Sequence, residues 1–252
     1  MADFVPAARY AGASAADIAA RCGVSRVVLY DELSSTLDAA HLLARDGAPE
    51  GTLVLAERQT AGRGRNGRAW SSEPLAGIWL TLIGAQADDA AMEVLSLRVG
   101  LAAARVLDAF ATACVRMKWP NDLMVDGGKL GGILIERRWH GARVDWVAIG
   151  IGINCRVPRG VPNGRALREG VSRVEVLSSL VPAVREAAQA RGGLTELELD
   201  DFARRDWARG RRCRAPIAGV VHGIDASGAL LVYTGAGDVA ARSGSLILEE
   251  ES

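Results

Sequence analysis

Asp126-Gly127-Gly128 joins the apolar run Leu123-Met124-Val125 to a second one, Leu130 to Glu136, and Asp-Gly between two such runs is a strong hairpin signal. The middle of the chain therefore carries antiparallel pairing, which excludes a purely parallel α/β sheet. Around this hairpin, strands and helices alternate. Ser35 to Arg45 reads as a helix ended by Gly47 and Pro49, and Thr52 to Glu57 as a buried strand. Gly77 to Ile83 is another strand, and Met92, Leu95, Val99, Ala103, Val106 and Phe110 repeat at helical spacing behind Asp88 and Asp89, marking a long core helix. Val115 to Trp119 precedes the hairpin as a strand, and Val144 to Asn154 follows it. This mixture predicts an α+β fold built on a mixed sheet flanked by helices.

Downstream, Val174 to Gln189 and Glu196 to Trp207 read as helices, broken by Pro182 and by Gly192-Gly193. The basic run Arg204 to Arg214 reads as a solvated helix end and linker. The texture then changes to short strands at Ile217 to Val221, Ala229 to Tyr233, Val239 to Arg242 and Leu246 to Leu248, the pattern of a small all-β barrel of roughly forty residues. At the other end, Ser14 to Cys22 reads as a short helix capped by Ser14, with Gly23-Val24-Ser25 like the turn of a helix-turn-helix. The strand-like Val27-Val28-Leu29-Tyr30 leaves no room for a recognition helix after it. The expected division is a partly ordered leader over 1–29, a main domain over 30–211 and a small domain over 212–252.

Lys plus Arg (30) equals Asp plus Glu (30), which disfavours a protein that grips nucleic acid or an anionic membrane through bulk charge. No apolar run approaches the ~18 residues of a membrane span, and no secretory signal is visible, so a soluble protein of the cytoplasm is expected. Cys22, Cys114, Cys155 and Cys213 are far apart, without zinc spacing, and read as reduced packing residues.

Three stretches carry chemistry. Gln59 to Trp70 (QTAGRGRNGRAW) contains G-x-G-x-x-G after a strand, but no helix opens at its third glycine, which excludes a dinucleotide fingerprint, and it lacks the Gly-Lys-Ser/Thr of a Walker A loop. It remains a glycine loop bearing Arg63, Arg65 and Arg68, suited to binding phosphate or carboxylate and to acting as an active-site lid. In Lys118 to Leu134 (KWPNDLMVDGGKLGGIL), Lys129 begins the return strand before Leu130-Gly131-Gly132, either as the edge of a ligand floor or as a charge that discourages edge pairing. In Ile149-Gly150-Ile151-Gly152-Ile153-Asn154, period-two alternation puts the isoleucines on one face and bare backbone on the other, where a ligand or a neighbouring backbone comes close.

Together, GRGRNGRAW, KWPNDLMVDGGKLGGIL and GIGIN in this order are similar to the biotin protein ligases (biotin–[acetyl-CoA-carboxylase] ligases), from about Tyr30 to the C-terminus. The resemblance implies a class II synthetase-like catalytic domain followed by a small SH3-like barrel. It implies a two-step reaction in which biotin and Mg-ATP give biotinyl-5′-AMP and pyrophosphate, and the adenylate then acylates a lysine of a biotin carboxyl carrier protein. By position, Ser35, Thr36 and Gln59 would meet the ureido ring, and Arg63, Gly64 and Arg65 would close over the valeryl chain and phosphate. Lys129 would neutralise charge at the α-phosphate, and Trp70 would lie near the adenine. Asp122 would orient or deprotonate the acceptor lysine, and Gly132, Gly150 and Gly152 would form the floor. Gly62, Arg68, Asn121 and Asn154 join the implied binding set. ATP and Mg²⁺ are the implied cosubstrates, with no metal ligand assigned. The partners are the carrier protein, biotin and ATP, without nucleic acid or membrane, in a monomer or weak homodimer.

Two residues depart from the family pattern. Leu37 stands where Asn usually follows Ser-Thr, and Cys155-Arg156 replace a second asparagine after GIGIN. The stretch before Tyr30 is shorter than the family's winged helix-turn-helix, so the single-function class, an enzyme without operator binding, is expected. The alternatives are a lipoate or octanoate ligase or transferase, which shares the fold, and a biotinyl-AMP-dependent repressor.

Overall fold

The computed structural model describes residues 4–84, 88–140 and 143–249. In chain order the elements are β1 (Val5–Pro6), β2 (Arg9–Tyr10), β3 (Ala13–Ser14), α1 (Ala15–Cys22), β4 (Val27–Leu33), α2 (Thr36–Arg45), β5 (Leu53–Gln59) and β6 (Gly77–Gly84). They continue with α3 (Asp89–Leu107), β7 (Arg116–Lys118), β8 (Asp122–Val125), β9 (Gly128–His140), β10 (Arg143–Asn154), α4 (Arg173–Gln189) and α5 (Glu196–Arg205). The last are β11 (Arg212–Ala215), β12 (Gly219–Ile224), β13 (Leu230–Tyr233), β14 (Asp238–Ala241) and β15 (Ile247–Leu248).

Eight strands form one mixed sheet in the order β1-β4-β5-β6-β10-β9-β8-β7, with β4 and β5 parallel and every other pair antiparallel. The expected hairpin is present. Asp126 (φ 45°) and Gly127 (φ 78°) make the two-residue turn between β8 and β9, both in the left-handed region that Asp-Gly tolerates.

Apolar periodicity decides which helix lies on which face. The larger core joins Leu80, Leu82, Ile149, Ile151 and Ile153 of the sheet to Ile18 of α1, Val99 and Leu101 of α3 and Leu177 and Leu180 of α4. A smaller cluster on the opposite face packs Ala39 and Ala40 of α2 against Val54, Ala56 and Ile83. Alternation thus sends the isoleucines of β10 into the large core and turns Gly150 and Gly152 toward α2.

Several expectations are corrected. Pro182 does not break α4; it sits on the exposed side while Val174, Val176, Leu177, Leu180, Val181 and Val184 hold the helix on the core past it. The segment before β4 is built into the fold, because Tyr10, Ile18 and Cys22 are buried and α1 is capped by Ser14 as its sequence indicated. The run Arg204 to Arg214 is not a solvated linker. Arg205 pairs with Asp108 and Asp201, the Trp207 N–H donates to the Met117 carbonyl at 2.8 Å beside β7, and Arg212–Ala215 is strand β11. The C-terminal strands form a five-stranded antiparallel sheet in the order β14-β13-β12-β11-β15, consistent with an SH3-like unit. Among the described residues no pairing closes β14 onto β15, so it is an open sheet. All four cysteines are free; Cys22 and Cys213 are buried, whereas Cys114 is exposed.

Candidate active site

The start of α2, the end of β5, the arginine-glycine loop, the β7–β8 turn and the strands β9 and β10 enclose a cavity of about 200 Å³. Ser245 and Leu246 reach its rim from the C-terminal sheet.

One end is a hydroxyl and amide network set by helix capping. Ser35 caps α2, its Oγ accepting from the Leu37 N–H at 3.3 Å. The Thr36 N–H (2.9 Å) and Oγ (3.1 Å) both donate to Gln59 Oε1, and buried Thr81 donates to Thr36 Oγ at 2.9 Å. Gln59 Nε2 donates to Ser72 Oγ at 2.9 Å. The Gln59 amide is thereby fixed by protein groups on both sides.

The arginine-glycine loop is a small hairpin. Arg63 bridges Ala69, the Gly64 N–H donates to the Arg68 carbonyl at 2.7 Å, and the Trp70 N–H donates to the Gly62 carbonyl at 2.8 Å. A tight turn over Arg65–Gly67, with Asn66 at φ 56°, reverses it. Its arginines have different surroundings. Arg63 is spent on carboxylates: Nε and Nη2 donate to Glu136 at 2.9 and 3.0 Å, and Nη1 lies 2.8 Å from Asp38. Arg65 makes no ion pair with a described residue, and burial pulls its pKa below the ordinary arginine value against the opposing field of Asp122. A desolvated, unpaired guanidinium facing a cavity is suited to receive an anion.

Lys129 leaves β9 beside the hairpin turn and meets Asp122 Oδ1 at 2.7 Å, with its Nζ 5.2 Å from the centre of the Trp70 ring. Trp70 lies on bare strand backbone. A Cβ on Gly152 would stand 2.8–2.9 Å from the indole, and Gly132 lies 3.5 Å below the same ring by the same measure. The Trp70 Nε1 is buried with no hydrogen-bond partner among the described residues. Gly150 is covered differently, by the methyls of Leu37 at 3.2 Å from its would-be Cβ. The glycine face is thus approached by side chains of the same chain.

Ser35, Thr36, Gln59, Arg63, Gly64, Arg65, Arg68, Trp70, Asn121, Asp122, Lys129, Gly132, Gly150 and Gly152 all line the cavity. Asn154 does not. It is buried outside, its Nδ2 donating to the carbonyls of Arg165 (3.0 Å) and Lys129 (3.4 Å), so it holds the backbone of the lysine. Gly62 is also outside, wedged where a Cβ would meet the Trp70 carbonyl at 2.7 Å and Gln59 Nε2 at 3.0 Å. Asn121 lines the wall with its amide committed, Nδ2 donating to the Ile133 carbonyl at 2.7 Å.

Sequence reasoning did not reach Trp119, Pro120, Ile133 and Leu134 of the lining, nor Asp38, His41 and Glu136, which anchor Arg63. Polar residues inside apolar elements were the available signal for Glu136 and His41. Nothing local marks Ser245 or Leu246, which arrive from a separate sheet.

Fold and site together define a ligase of the kind described by the Biotin/lipoate A/B protein ligase family, whose model matches residues 32–154. A biotin–[acetyl-CoA-carboxylase] ligase of Paracoccus denitrificans is 35% identical over 216 residues, covering 73% of this chain and 85% of that protein. The enzyme of that name from Mycobacterium tuberculosis is 34% identical, with 82% and 84% covered. A bifunctional ligase/repressor of Bacillus subtilis is 34% identical over 84% of this chain and 70% of its own length. The chain belongs to the biotin protein ligase family. In fold it is similar to the biotin protein ligase of Aquifex aeolicus in complex with biotin and ATP, with a TM-score of 0.71 at 24% identity, covering 89% of this chain and 99% of that one.

Proposed function

We propose that the protein is an ATP-dependent biotin protein ligase that makes biotinyl-5′-AMP and transfers the biotinyl group to a lysine of a biotin carboxyl carrier protein. The observation that carries this reading is the grouping of unpaired Arg65 and the Lys129–Asp122 pair in one cavity beneath a hairpin lid.

In the first step a biotin carboxylate oxygen attacks the α-phosphorus of ATP, the new O–P bond replaces the α,β-bridging bond, and pyrophosphate leaves. Negative charge builds on the α-phosphoryl oxygens, where Lys129 and Arg65 supply preorganised positive charge. The Ser35 hydroxyl, which accepts from the Leu37 N–H, keeps its own proton to donate to the ureido carbonyl. In the second step the carrier lysine amine attacks the acyl carbon and AMP leaves with the bonding electrons. Asp122, whose Oδ1 lies 2.7 Å from the Lys129 Nζ, takes the proton of the amine. The lid keeps water from the mixed anhydride.

Mg²⁺ enters with the ATP. Asp122 is the one carboxylate among the lining residues, and no group of three metal-ligating side chains occurs among the described residues. Such a lining would suit an ion that keeps phosphate and water ligands; Asp122 would be the residue to hold it, and neutralisation of phosphate charge the chemistry it would supply.

The reading divides the chain into a main unit that holds the chemistry and a C-terminal unit that adds Ser245 and Leu246 to the rim. The carrier has an edge to join. β8 pairs with β9 only over Gly128–Gly132, and beyond the Ile133 N–H bond to Asn121 the same side of β9 has no strand partner among the described residues. The edge strand β7 at this end of the sheet is covered, because the Trp207 N–H donates to the Met117 carbonyl. An extended carrier segment adds to β9 by main-chain pairing. No helix of the described residues is long and apolar enough to cross a membrane, and the proposed work lies in the cytoplasm with ATP and the carrier.

The test is a mass measurement. With biotin and Mg-ATP, purified protein adds one biotinyl group to the lysine of a carrier domain, and lipoate or octanoate in place of biotin adds nothing. A lipoyl or octanoyl adduct without a biotin adduct overturns the reading.

A further inference from the structure

Arg63 stands at the foot of the first leg of the lid, and its guanidinium is held by a socket outside the cavity. Glu136 on β9 takes it bidentately at 2.9 and 3.0 Å, and Asp38 on α2 takes the remaining amino group at 2.8 Å. The socket is itself braced. His41 Nε2 lies 2.8 Å from Glu136 Oε2, and Trp146 Nε1 donates to His41 Nδ1 at 3.0 Å. Because Nδ1 accepts from the indole, Nε2 carries a proton and donates it to the carboxylate, so His41 braces Glu136. Four elements, α2, β9, β10 and the lid, thus converge on one carboxylate through oriented bonds. Glu136, Asp38 and His41 do not line the cavity, whereas Arg63 does.

We infer that Glu136, with Asp38 and His41, is a positioning residue that pins the lid through Arg63 and so sets how long the adenylate stays enclosed. The inference rests on the function proposed above and adds a division of labour to it. Arg63, which the family resemblance placed on the substrate, closes the lid, and Arg65 one turn further faces the anion. The second leg of the hairpin is tied separately, by Ser72 to Gln59 and by Trp70 on Gly152, so loss of the socket frees one leg and leaves the cavity wall standing. The effect is therefore expected on retention of the intermediate rather than on its synthesis. An adenylate that escapes acylates any amine it meets.

Glu136→Gln keeps the size of the side chain and one acceptor oxygen but removes the charge that holds a bidentate guanidinium. In the full-length variant with biotin and Mg-ATP, the first-step rate, read as pyrophosphate release, stays within about three-fold of wild type. Free biotinyl-AMP recovered after rapid desalting rises about ten-fold, and so does labelling of bystander serum-albumin lysines. Glu136→Asp, which retains the charge, falls between the two. Trypsin supplies a reading that needs no catalysis: without ligand, cleavage after Arg65 and Arg68 in the lid accelerates at least five-fold in Glu136→Gln while the melting temperature identifies the protein as folded. If wild type forms no biotinyl-AMP, the proposed function fails and the trypsin result alone decides the pin. Unchanged lid cleavage in a folded Glu136→Gln protein, or unchanged adenylate retention in an active one, overturns it.

Discussion

Gly150 and Gly152 are one strand repeat apart on the same face, yet alanine at the two positions has different expected costs. At Gly152 the new methyl stands 2.8–2.9 Å from three atoms of the Trp70 indole. Relief to the ~3.4 Å of ordinary contact requires a retreat of about 0.6 Å by a rigid ring. That ring has little room, since Lys129 lies over its face, Trp79 stands edge-on at 6.3 Å and its own backbone is bonded to Gly62. The ring swings off the floor, at ~1–3 kcal/mol of lost packing. For a chain of this length that is about 2–12 °C in melting temperature. At Gly150 the methyl meets two flexible methyls of Leu37 and the Leu134 carbonyl, all at 3.2 Å. A shift of a few tenths of an ångström suffices there, and the ~0.5–1 kcal/mol gained by replacing glycine in a strand offsets it. Differential scanning fluorimetry should place Gly150→Ala within about 2 °C of wild type and Gly152→Ala clearly below. Pyrophosphate release with biotin and Mg-ATP should fall at least ten-fold in Gly152→Ala, because the lid loses its contact with the floor. Equal melting temperatures for the two variants, with adenylation retained in Gly152→Ala, would refute the claim that Trp70 needs bare backbone.

Lys129→Ala should cut adenylate formation by about 10²–10³, the scale on which loss of one preorganised charge acts, while calorimetry finds biotin affinity within a few-fold; an unchanged rate would return Lys129 to a hairpin-end charge. Asn154→Ala removes the amide donor of two carbonyls, one of them that of Lys129, and should cost ~1–3 kcal/mol in urea denaturation; a cost below experimental error would deny Asn154 that role. Glu136 titrates near 2 instead of 4.5, held down first by the His41 hydrogen bond and then by Arg63. Its folded pKa is depressed, so its contribution, ~1–2 kcal/mol after allowance for partial exposure, is complete above pH 4.5 and fades as the pH falls toward 2. The melting gap between wild type and Glu136→Gln should hold from pH 7 to pH 5 and narrow below; a gap that does not change with pH would exclude an ionised Glu136 as its source.

What the sequence revealed, and what it concealed, follows from the range of the forces involved. The hairpin at Asp126-Gly127, the Ser14 cap of α1 and the core spacing of α3 behind Asp88 are local, and each appears where its residues indicate. Pro182 misled because a proline on the solvent side of a helix with six buried apolar neighbours loses to tertiary packing. Strand β11 was hidden because Arg212 and Arg214 alternate with Cys213, a pattern too short and too charged to stand out, and its partners lie in β12 and β15. Most lining residues on the motifs were legible, Trp119, Pro120, Ile133 and Leu134 excepted; Ser245 and Leu246, brought by the C-terminal sheet, were not.

The lid shows why motif reading assigns residue types more securely than residue roles. Arg63 and Arg65 are the same amino acid, separated by one glycine, and nothing within the loop distinguishes them. Their roles are decided by carboxylates elsewhere. Glu136, 73 positions away in sequence, and Asp38 on α2 neutralise Arg63. No described carboxylate ion-pairs with Arg65, and Asp122, whose field reaches it, already salt-bridges Lys129 at 2.7 Å. With two acids for Arg63 and a lysine for the third acid, Arg65 is left at the cavity partly buried and without a counter-ion, whereas Arg68 beside it is exposed. In the proposed reading the incoming phosphate supplies that counter-ion, so the charge offered to the intermediate is set by how the acids are distributed among the other cations.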